Sequence, residues 1–417
     1  MRHWRTKIFA ASWLLYAAYY FCRKNFSVVM PAMAEVNRLS AFDLAHLVFA
    51  YSLLYSLGQF LAGILTDRFG GRKVAAAGAF ISVGANLLMT WTTGYWGLIF
   101  LQILNGVGQG CGWSAILKLI GTWFRRSERG VVLSWWGTSY VLGGFIATGF
   151  ATYVATSLPI FDALGYRKAF LIPSLVLCCI TLLFLSMTRE RIAGSSEVQN
   201  GSSEGFRFSE MFAVLRYRDV QVISTSYFLL KTTRYSLLYW LPFYLVQGLG
   251  YTKELAGYSA SVFELAGALG PLLAGYCSDR FFSSRRHPVG VVMLVLLAVA
   301  FFAHPYLSQQ GQNGVLLSIS LMGIFIYGTD LLIGGAAAME AVPPNLMARA
   351  MGTVNCIGSM GQLVSSYVVA VFVQWFGWDK LFLFFVGCAL LAAALLATRM
   401  PKAAKSKSLS QTPELAA

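Results

Sequence analysis

The chain has 417 residues, of which 57% are hydrophobic, against about 45–50% in a soluble domain. Only 12% are charged, about half the usual share, and mean hydropathy is +0.63. So much apolar surface cannot be hidden behind so few charges, which excludes an ordinary soluble globular protein. The charges are also unbalanced: 32 Lys and Arg against 17 Asp and Glu leave a net charge of +15. A basic balance normally raises nucleic acid as a partner; the positions of the cations decide against it.

A membrane helix needs about 20 mostly apolar residues, because the hydrocarbon core is about 30 Å thick and each residue rises about 1.5 Å. Twelve such stretches follow one another. The first, 8–32, carries Arg23 and Lys24 near its middle. It follows a basic N-terminus and lacks a small-residue cleavage site, so it reads as a retained helix and not a signal peptide. Next come 43–65, 74–92, 95–120 (with Lys118 near its end), 130–156 and 168–188. Residues 189–219 hold Gly194-Ser195-Ser196 and Gly201-Ser202-Ser203 among mixed charges, the composition of a flexible linker. The second set is 220–247 (with Lys231 and Arg234), 255–278 (with Glu264), 289–307, 314–341 (with Asp330 and Glu340), 347–374 and 380–398. The expectation is an all-α polytopic membrane protein. Residues 1–188 form one six-helix bundle, 189–219 a cytoplasmic linker, 220–399 a second bundle and 400–417 a cytoplasmic tail.

The cations test this map. With the N-terminus in the cytoplasm, 22 of the 32 fall in cytoplasmic segments, 5 on the opposite side and 5 inside spans. That asymmetry puts both termini in the cytoplasm by the positive-inside rule. It also removes the nucleic-acid reading, since the excess lies in loops at one membrane face. The seven cysteines lie in or beside spans without metal-ligand spacing, and the four histidines are scattered, so no catalytic constellation, metal site or disulfide framework is expected. No phosphate-cradling Gly-rich loop with Lys-Ser/Thr is present either, which argues against ATP-driven transport. The expectation is a non-enzyme without cofactors.

The halves repeat each other. Residues 61–68 read Leu-Ala-Gly-Ile-Leu-Thr-Asp-Arg and 273–280 read Leu-Ala-Gly-Tyr-Cys-Ser-Asp-Arg, an offset of 212. Each block runs into a basic turn, Gly70-Gly71-Arg72-Lys73 in one and Arg285-Arg286 in the other. Gly63 and Gly275 are expected to permit close helix approach. Asp67 and Asp279 are expected to accept from a helix N-terminus or to pair with a cation, making a conformational latch with Arg68, Arg72 and Arg280. The bland reading is a capped turn with topology charges. The blocks resemble the loop motif of the major facilitator superfamily. That resemblance implies two six-helix bundles around a central cavity, with substrate near the midplane and alternating access by rocking.

An ionisable residue at the bilayer centre costs at least about 2.5–3.5 kcal/mol, so it marks function by default. The repeat offset carries position 23 to 235, one residue from Arg234. Pseudo-symmetry therefore predicts that Arg23 and Arg234 face each other across the cavity. Two guanidiniums without an anion repel, and a phosphoryl dianion between them accepts a bidentate fork from each. Tyr16 and Tyr20 share a helix face with Arg23. Lys231 and Tyr235 flank Arg234, and tyrosine hydroxyls are donors to phosphate or sugar oxygens. The alternative pairs each arginine with a buried acid, from Glu264, Asp330 or Glu340; three acids would then share five cations. Lys24 points off the Arg23 face, where packing, snorkelling and substrate contact stay open. Lys118 reads equally as a snorkelling lysine.

The residues also resemble one family within the superfamily, the organophosphate:phosphate antiporters, over essentially the whole chain. Tyr19-Tyr20-Phe21-Cys22-Arg23-Lys24-Asn25-Phe26 with Met30-Pro31 is the most specific block. Others are Asn105-Gly106-Val107-Gly108-Gln109-Gly110 with Gly112-Trp113, Glu128-Arg129-Gly130, Arg234-Tyr235, Phe263-Glu264-Leu265-Ala266-Gly267, and Tyr327-Gly328 with Leu332-Ile333-Gly334. The family includes glycerol-3-phosphate and hexose-phosphate transporters, a related hexose-phosphate sensor and the animal glucose-6-phosphate transporter. The resemblance implies that Arg23 and Arg234 are its two phosphate-binding arginines. A fifth-span histidine of the glycerol-3-phosphate members is Tyr140 here, a second-span lysine is Gln59, and an acid after the second arginine is Tyr239. The Trp-Pro-Pro of the fourth span is Trp113-Ser114-Ala115. These departures point away from glycerol 3-phosphate.

The resulting expectation is exchange of a small organophosphate for inorganic phosphate by a monomer in a bacterial inner membrane. Arg23, Arg234, Tyr16, Tyr20, Lys24, Tyr140, Lys231, Tyr235 and Glu264 form the candidate site. The rival readings are a hexose-phosphate membrane sensor and a proton-coupled sugar or drug carrier, the latter using Asp330.

Overall fold

The computed structural model describes residues 2–124, 128–190, 214–282, 286–343 and 346–399. The expected tail 400–417, most of the linker 189–219, and Arg125, Arg126 and Arg285 lie outside the described residues. Helices make twelve traverses among the described residues. In the first half they are α1 (Arg2–Tyr19) continued by α2 (Phe21–Asn37), α3 (Ala41–Phe69), α4 (Gly71–Met89), α5 (Tyr95–Trp123), α6 (Arg129–Thr156) and α7 (Lys168–Met187). In the second half they are α8 (Arg218–Gln247), α9 (Lys253–Gly267) continued by α10 (Leu269–Phe281), α11 (Arg286–Ser308), α12 (Gln312–Leu331) with the short α13 (Ala338–Glu340), α14 (Met347–Trp375) and α15 (Trp378–Ala397).

Three traverses that read as single spans are broken. The first breaks at Tyr20, three residues before Arg23, and the eighth at Ala268, four residues after Glu264. In the tenth, Leu332–Ala337 is a π-helix that begins two residues after Asp330. Such one-turn π segments re-aim side chains and gather at functional sites. Gly334 is required there, because a Cβ on it would lie 2.5 Å from the Tyr227 hydroxyl.

Eight traverses are long and apolar enough to cross a membrane by composition alone. The first, third, fourth and seventh are more polar. A buried network explains three of them. Asn25 of α2 donates to Asn86 of α4 at 2.8 Å and to the Ala169 carbonyl of α7 at 3.1 Å. Asn105 of α5 donates to the Cys22 carbonyl at 3.0 Å, and Gln109 of α5 donates to the Tyr19 carbonyl at 2.9 Å and to Ser82 of α4 at 2.8 Å. Away from water every such group needs a protein partner, so these residues bind the first half together where apolar packing alone would not specify a register.

The glycine expectation is corrected. A Cβ on Gly63 or on Gly275 would meet nothing within 4 Å, so neither permits a close approach. The close approaches lie five residues earlier, at Gly58 and Gly270, which keep the offset of 212. A Cβ on Gly58 would lie 3.1 Å from the Val107 carbonyl of α5. One on Gly270 would lie 2.6 Å from the Gly328 nitrogen of α12. Each brings the second traverse of its half against the fourth.

The halves meet along α2 with α8, α3 with α14, and α6 with α9. The contacts gather at the end away from the chain termini and at mid-height. Lys253 pairs with Glu35 at 2.5 Å and Ser157 donates to Glu254 at 3.0 Å. The rings of Phe42 and Trp375 pack at 5.6 Å, as do those of His46 and Tyr367. At the other end Arg5–Glu128, Lys118–Asp67, Arg286–Asp279, Arg286–Glu340 and Arg399–Asp219 each stay within one half.

Candidate functional site

Between the halves, at mid-height, lies a small cavity of about 40 Å³. Arg23 of α2 and Arg234 of α8 both line it, the juxtaposition that the repeat offset predicts. The Arg23 Nε donates to Gln109 at 3.2 Å. Its guanidinium carbon sits 4.7 Å from the Tyr20 ring centroid and 4.6 Å from that of Tyr55. Arg23 Nη2 is buried without a hydrogen-bond partner, and no carboxylate among the described residues pairs with this arginine. A buried donor left unmatched costs free energy.

Arg234 is placed differently. Its Nη1 lies 2.7 Å from Asp330 Oδ2, and its guanidinium carbon lies 4.5 Å from the Tyr327 ring centroid. The acid-paired alternative thus holds for one arginine and not for the other. The pairing is incomplete: Arg234 Nε and Asp330 Oδ1 are both buried without a hydrogen-bond partner.

Other candidates divide. Tyr20, Tyr140, Tyr235 and Glu264 line the cavity. Tyr16 does not. It is 3% exposed and packs in an aromatic cluster, 4.9 Å from the Trp136 ring and 5.5 Å from the Trp113 ring. Because α1 ends at Tyr19 and α2 begins at Phe21, Tyr16 does not continue the Arg23 face and stacks into the first bundle. Lys24 is buried outside the cavity lining and ion-paired with Glu264, whose other oxygen accepts from the Tyr327 hydroxyl at 2.5 Å. It ties α2 of one half to α9 of the other. Lys231 is also buried and outside the lining, its ammonium 4.7 Å from the Tyr227 ring centroid.

The latch residues lie at the end bearing the termini. Asp67 pairs with Lys118 at 2.6 Å. Asp279 pairs with Arg286 at 3.2 Å. Arg72 donates to the Leu185 carbonyl at 2.5 Å, and the Gly71 and Arg72 nitrogens donate to Glu190. Arg68 lies 5.2 Å from the Phe69 ring centroid, and Arg280 is exposed. These contacts stay within their halves.

Sequence reasoning missed Tyr51, Tyr55, Tyr327 and Gln362, all of which line the cavity. The signal for two of them was present: Tyr51, Tyr55 and Gln59 recur every four residues on one face of an apolar span. Gln59 donates to the Tyr55 hydroxyl at 2.8 Å, so it braces a ring that packs on Arg23. Tyr239, noted only as a departure from the family pattern, also lines the cavity, and its ring centroid lies 6.2 Å from that of Tyr51 across the halves.

Comparison with known proteins agrees with this architecture. The sequence profile described as Major Facilitator Superfamily matches residues 12–329 and again 223–415. The chain is 28% identical over 416 residues to the glycerol-3-phosphate transporter of Bacillus subtilis (strain 168), covering 94% of this chain and 91% of that protein. It is 27% identical over 413 residues to the membrane sensor protein UhpC of Salmonella typhimurium, covering 95% and 91%. Its fold matches a bacterial homologue of the human lysosomal transporter Spinster, in an inward-facing, unoccupied conformation, with a TM-score of 0.82. That match covers 95% of this chain and 97% of the other at 15% identity. With twelve traverses, a repeated half and a profile match over most of its length, the chain is an integral membrane protein that belongs to the major facilitator superfamily.

Proposed function

We propose that this protein exchanges a small organophosphate for inorganic phosphate by alternating access. The observation that carries the reading is the pair of arginines on one cavity, each with a buried N–H donor that no group among the described residues accepts. Planar guanidiniums suit phosphoryl oxygens because their donors form a rigid fork. The charges fit as well. Arg23, Lys24, Lys231 and Arg234 stand against Glu264 and Asp330, an excess of two positive charges that one phosphoryl dianion cancels. Tyrosines line the rest of the cavity and offer hydroxyls and ring faces to the ester. The resemblance to organophosphate transporters, and the relative of that type, support the same substrate class.

In this reading residues 1–188 and 220–399 rock against each other as two bodies, and both termini are cytoplasmic. The contacts at the end away from the termini close the outer side, so the cavity faces the cytoplasm. Asp67 and Asp279, with Arg68, Arg72 and Arg280 nearby, repair across the inner side when it closes. The protein works as a monomer in the bacterial inner membrane and performs no covalent step.

The test is a competition panel in phosphate-loaded proteoliposomes. External sugar phosphates, glycerol 3-phosphate, phosphoglycerate and phosphate are each offered, and efflux of labelled phosphate is followed. Efflux that depends on an external phosphate ester supports exchange. Uptake driven by a proton gradient without internal phosphate would overturn it. A second reading, a membrane sensor, is favoured by the similarity to a protein of that name. Ester binding without counterflow would select it.

A further inference from the structure

The ion pair at Arg234 is unusual for a site meant to take an anion, because a carboxylate already occupies part of the guanidinium. Asp330 Oδ2 holds Nη1 at 2.7 Å, while Asp330 Oδ1 and Arg234 Nε remain buried and unmatched. A settled structural pair would use both oxygens on the fork. One turn earlier on α8, Lys231 is 7% exposed and, among the described residues, no carboxylate lies within ion-pair distance of it. It lies within electrostatic reach of both Asp330 and Arg234. The pair is therefore half-made, beside a buried cation that forms no ion pair among the described residues.

We propose that Asp330 is a place-holding anion that Arg234 surrenders to Lys231 when a phosphoryl group arrives. This rests on the reading of the cavity as a phosphate site. In the empty site Asp330 neutralises Arg234 and competes with substrate for it. When phosphate takes Arg234, two anions cannot share the guanidinium in a low-dielectric cavity at no cost. The flexible Lys231 stem lets its ammonium move from the Tyr227 ring to the displaced carboxylate. The π-helix that starts at Leu332 gives the Asp330 backbone an irregular turn in which to re-aim the side chain. Lys231 and Asp330 are positioning residues in this scheme, and neither touches the substrate.

The test is phosphate affinity of the full-length protein in nanodiscs, with inorganic phosphate as the probe and thermal stability measured alongside. Removing the competitor by Asp330→Asn is expected to tighten phosphate binding by about tenfold, the worth of one charge-assisted hydrogen bond. Removing the receiver by Lys231→Met is expected to weaken it by a similar factor. The double variant is expected to bind like Asp330→Asn alone, since a receiver without a displaced anion has no role. Added phosphate is expected to raise the melting temperature of Asp330→Asn more than that of the wild type.

Weaker phosphate binding by Asp330→Asn, or a double variant as weak as Lys231→Met, would overturn the hand-off. Asp330→Ser carries the same comparison should the Asn variant fail to insert. Failure of the parent reading looks different. A wild type that binds neither phosphate nor phosphate esters, or Arg23→Lys that binds phosphate normally, removes the site itself. Arg23→Lys without binding, together with an unchanged Asp330→Asn, removes only the hand-off.

Discussion

Lys24 of the first half and Glu264 of the second form an ion pair whose side chains are 4% and 5% exposed. It crosses between the bundles beside the cavity, so its two charges depend on each other for solvation. Removing either partner strands a buried charge, which costs about 3–5 kcal/mol, whereas replacing both with apolar residues of similar size is far milder. Lys24→Met and Glu264→Met are expected to lower thermal stability strongly, and the double variant to recover most of the loss. Additive losses in detergent melts would show that the pair is not a coupled unit.

Gln109 is expected to act on phosphate affinity without touching phosphate. Its Oε1 accepts from Arg23 Nε, and its Nε2 donates to the Tyr19 carbonyl and to Ser82, so it aims the guanidinium from behind. Gln109→Leu leaves those groups unmatched and lets Arg23 swing. Phosphate affinity is expected to fall about tenfold, consistent with one lost hydrogen bond to a charged group. Gln109→Glu sets a carboxylate against the Arg23 guanidinium and cannot donate to the Tyr19 carbonyl, so it is expected to lose at least as much affinity; unchanged phosphate binding in Gln109→Leu would count against this role.

Two glycines on one helix give a direct test of the packing. Gly270→Ala brings a Cβ to 2.6 Å from a backbone nitrogen, where nothing flexible can yield. A loss of about 1–3 kcal/mol is expected from such overpacking. Gly275→Ala, five residues on, meets open space and is expected to change stability little. Thermal melts of the two variants check both, and equal behaviour would refute the helix contact.

Glu35 and Lys253 join the halves at the end away from the termini, at 2.5 Å. The hydrogen bond and charge of Lys253 hold the Glu35 carboxyl below its usual value of 4.5. A depressed carboxylate stabilises the contact fully above its ordinary range and loses that effect as pH falls through the depressed value. Acidification below that range, or Glu35→Gln at neutral pH, is therefore expected to increase labelling of cysteines introduced at this end. Labelling that stays constant from neutral pH down to that range would exclude a closing role for the pair.

Much of this could be read before any coordinates. The membrane class followed from hydropathy because a helix hides its own backbone polar groups, so each span is legible in isolation. The repeat and the two arginines were legible because an offset of 212 is a property of the chain alone. The wrong assignments share one cause. Tyr16 and Gly63 were judged from helix periodicity, which gives a face but not the neighbour that the face meets. The break at Tyr20 and the lateral packing of α3 against α5 lie outside that period.

The sequence by itself determined the twelve spans, the pseudo-symmetry and the choice of Arg23 and Arg234, since each depends only on local composition and spacing. The tertiary structure decided which buried cations are matched by a carboxylate among the described residues. Whether a buried charge is free or matched depends on residues far along the chain: Glu264 for Lys24, Asp330 for Arg234, and, among the described residues, no carboxylate for Arg23. Coulomb energy in a low-dielectric interior is set by distances of a few ångströms, and those distances are fixed only when helices of both bundles pack together.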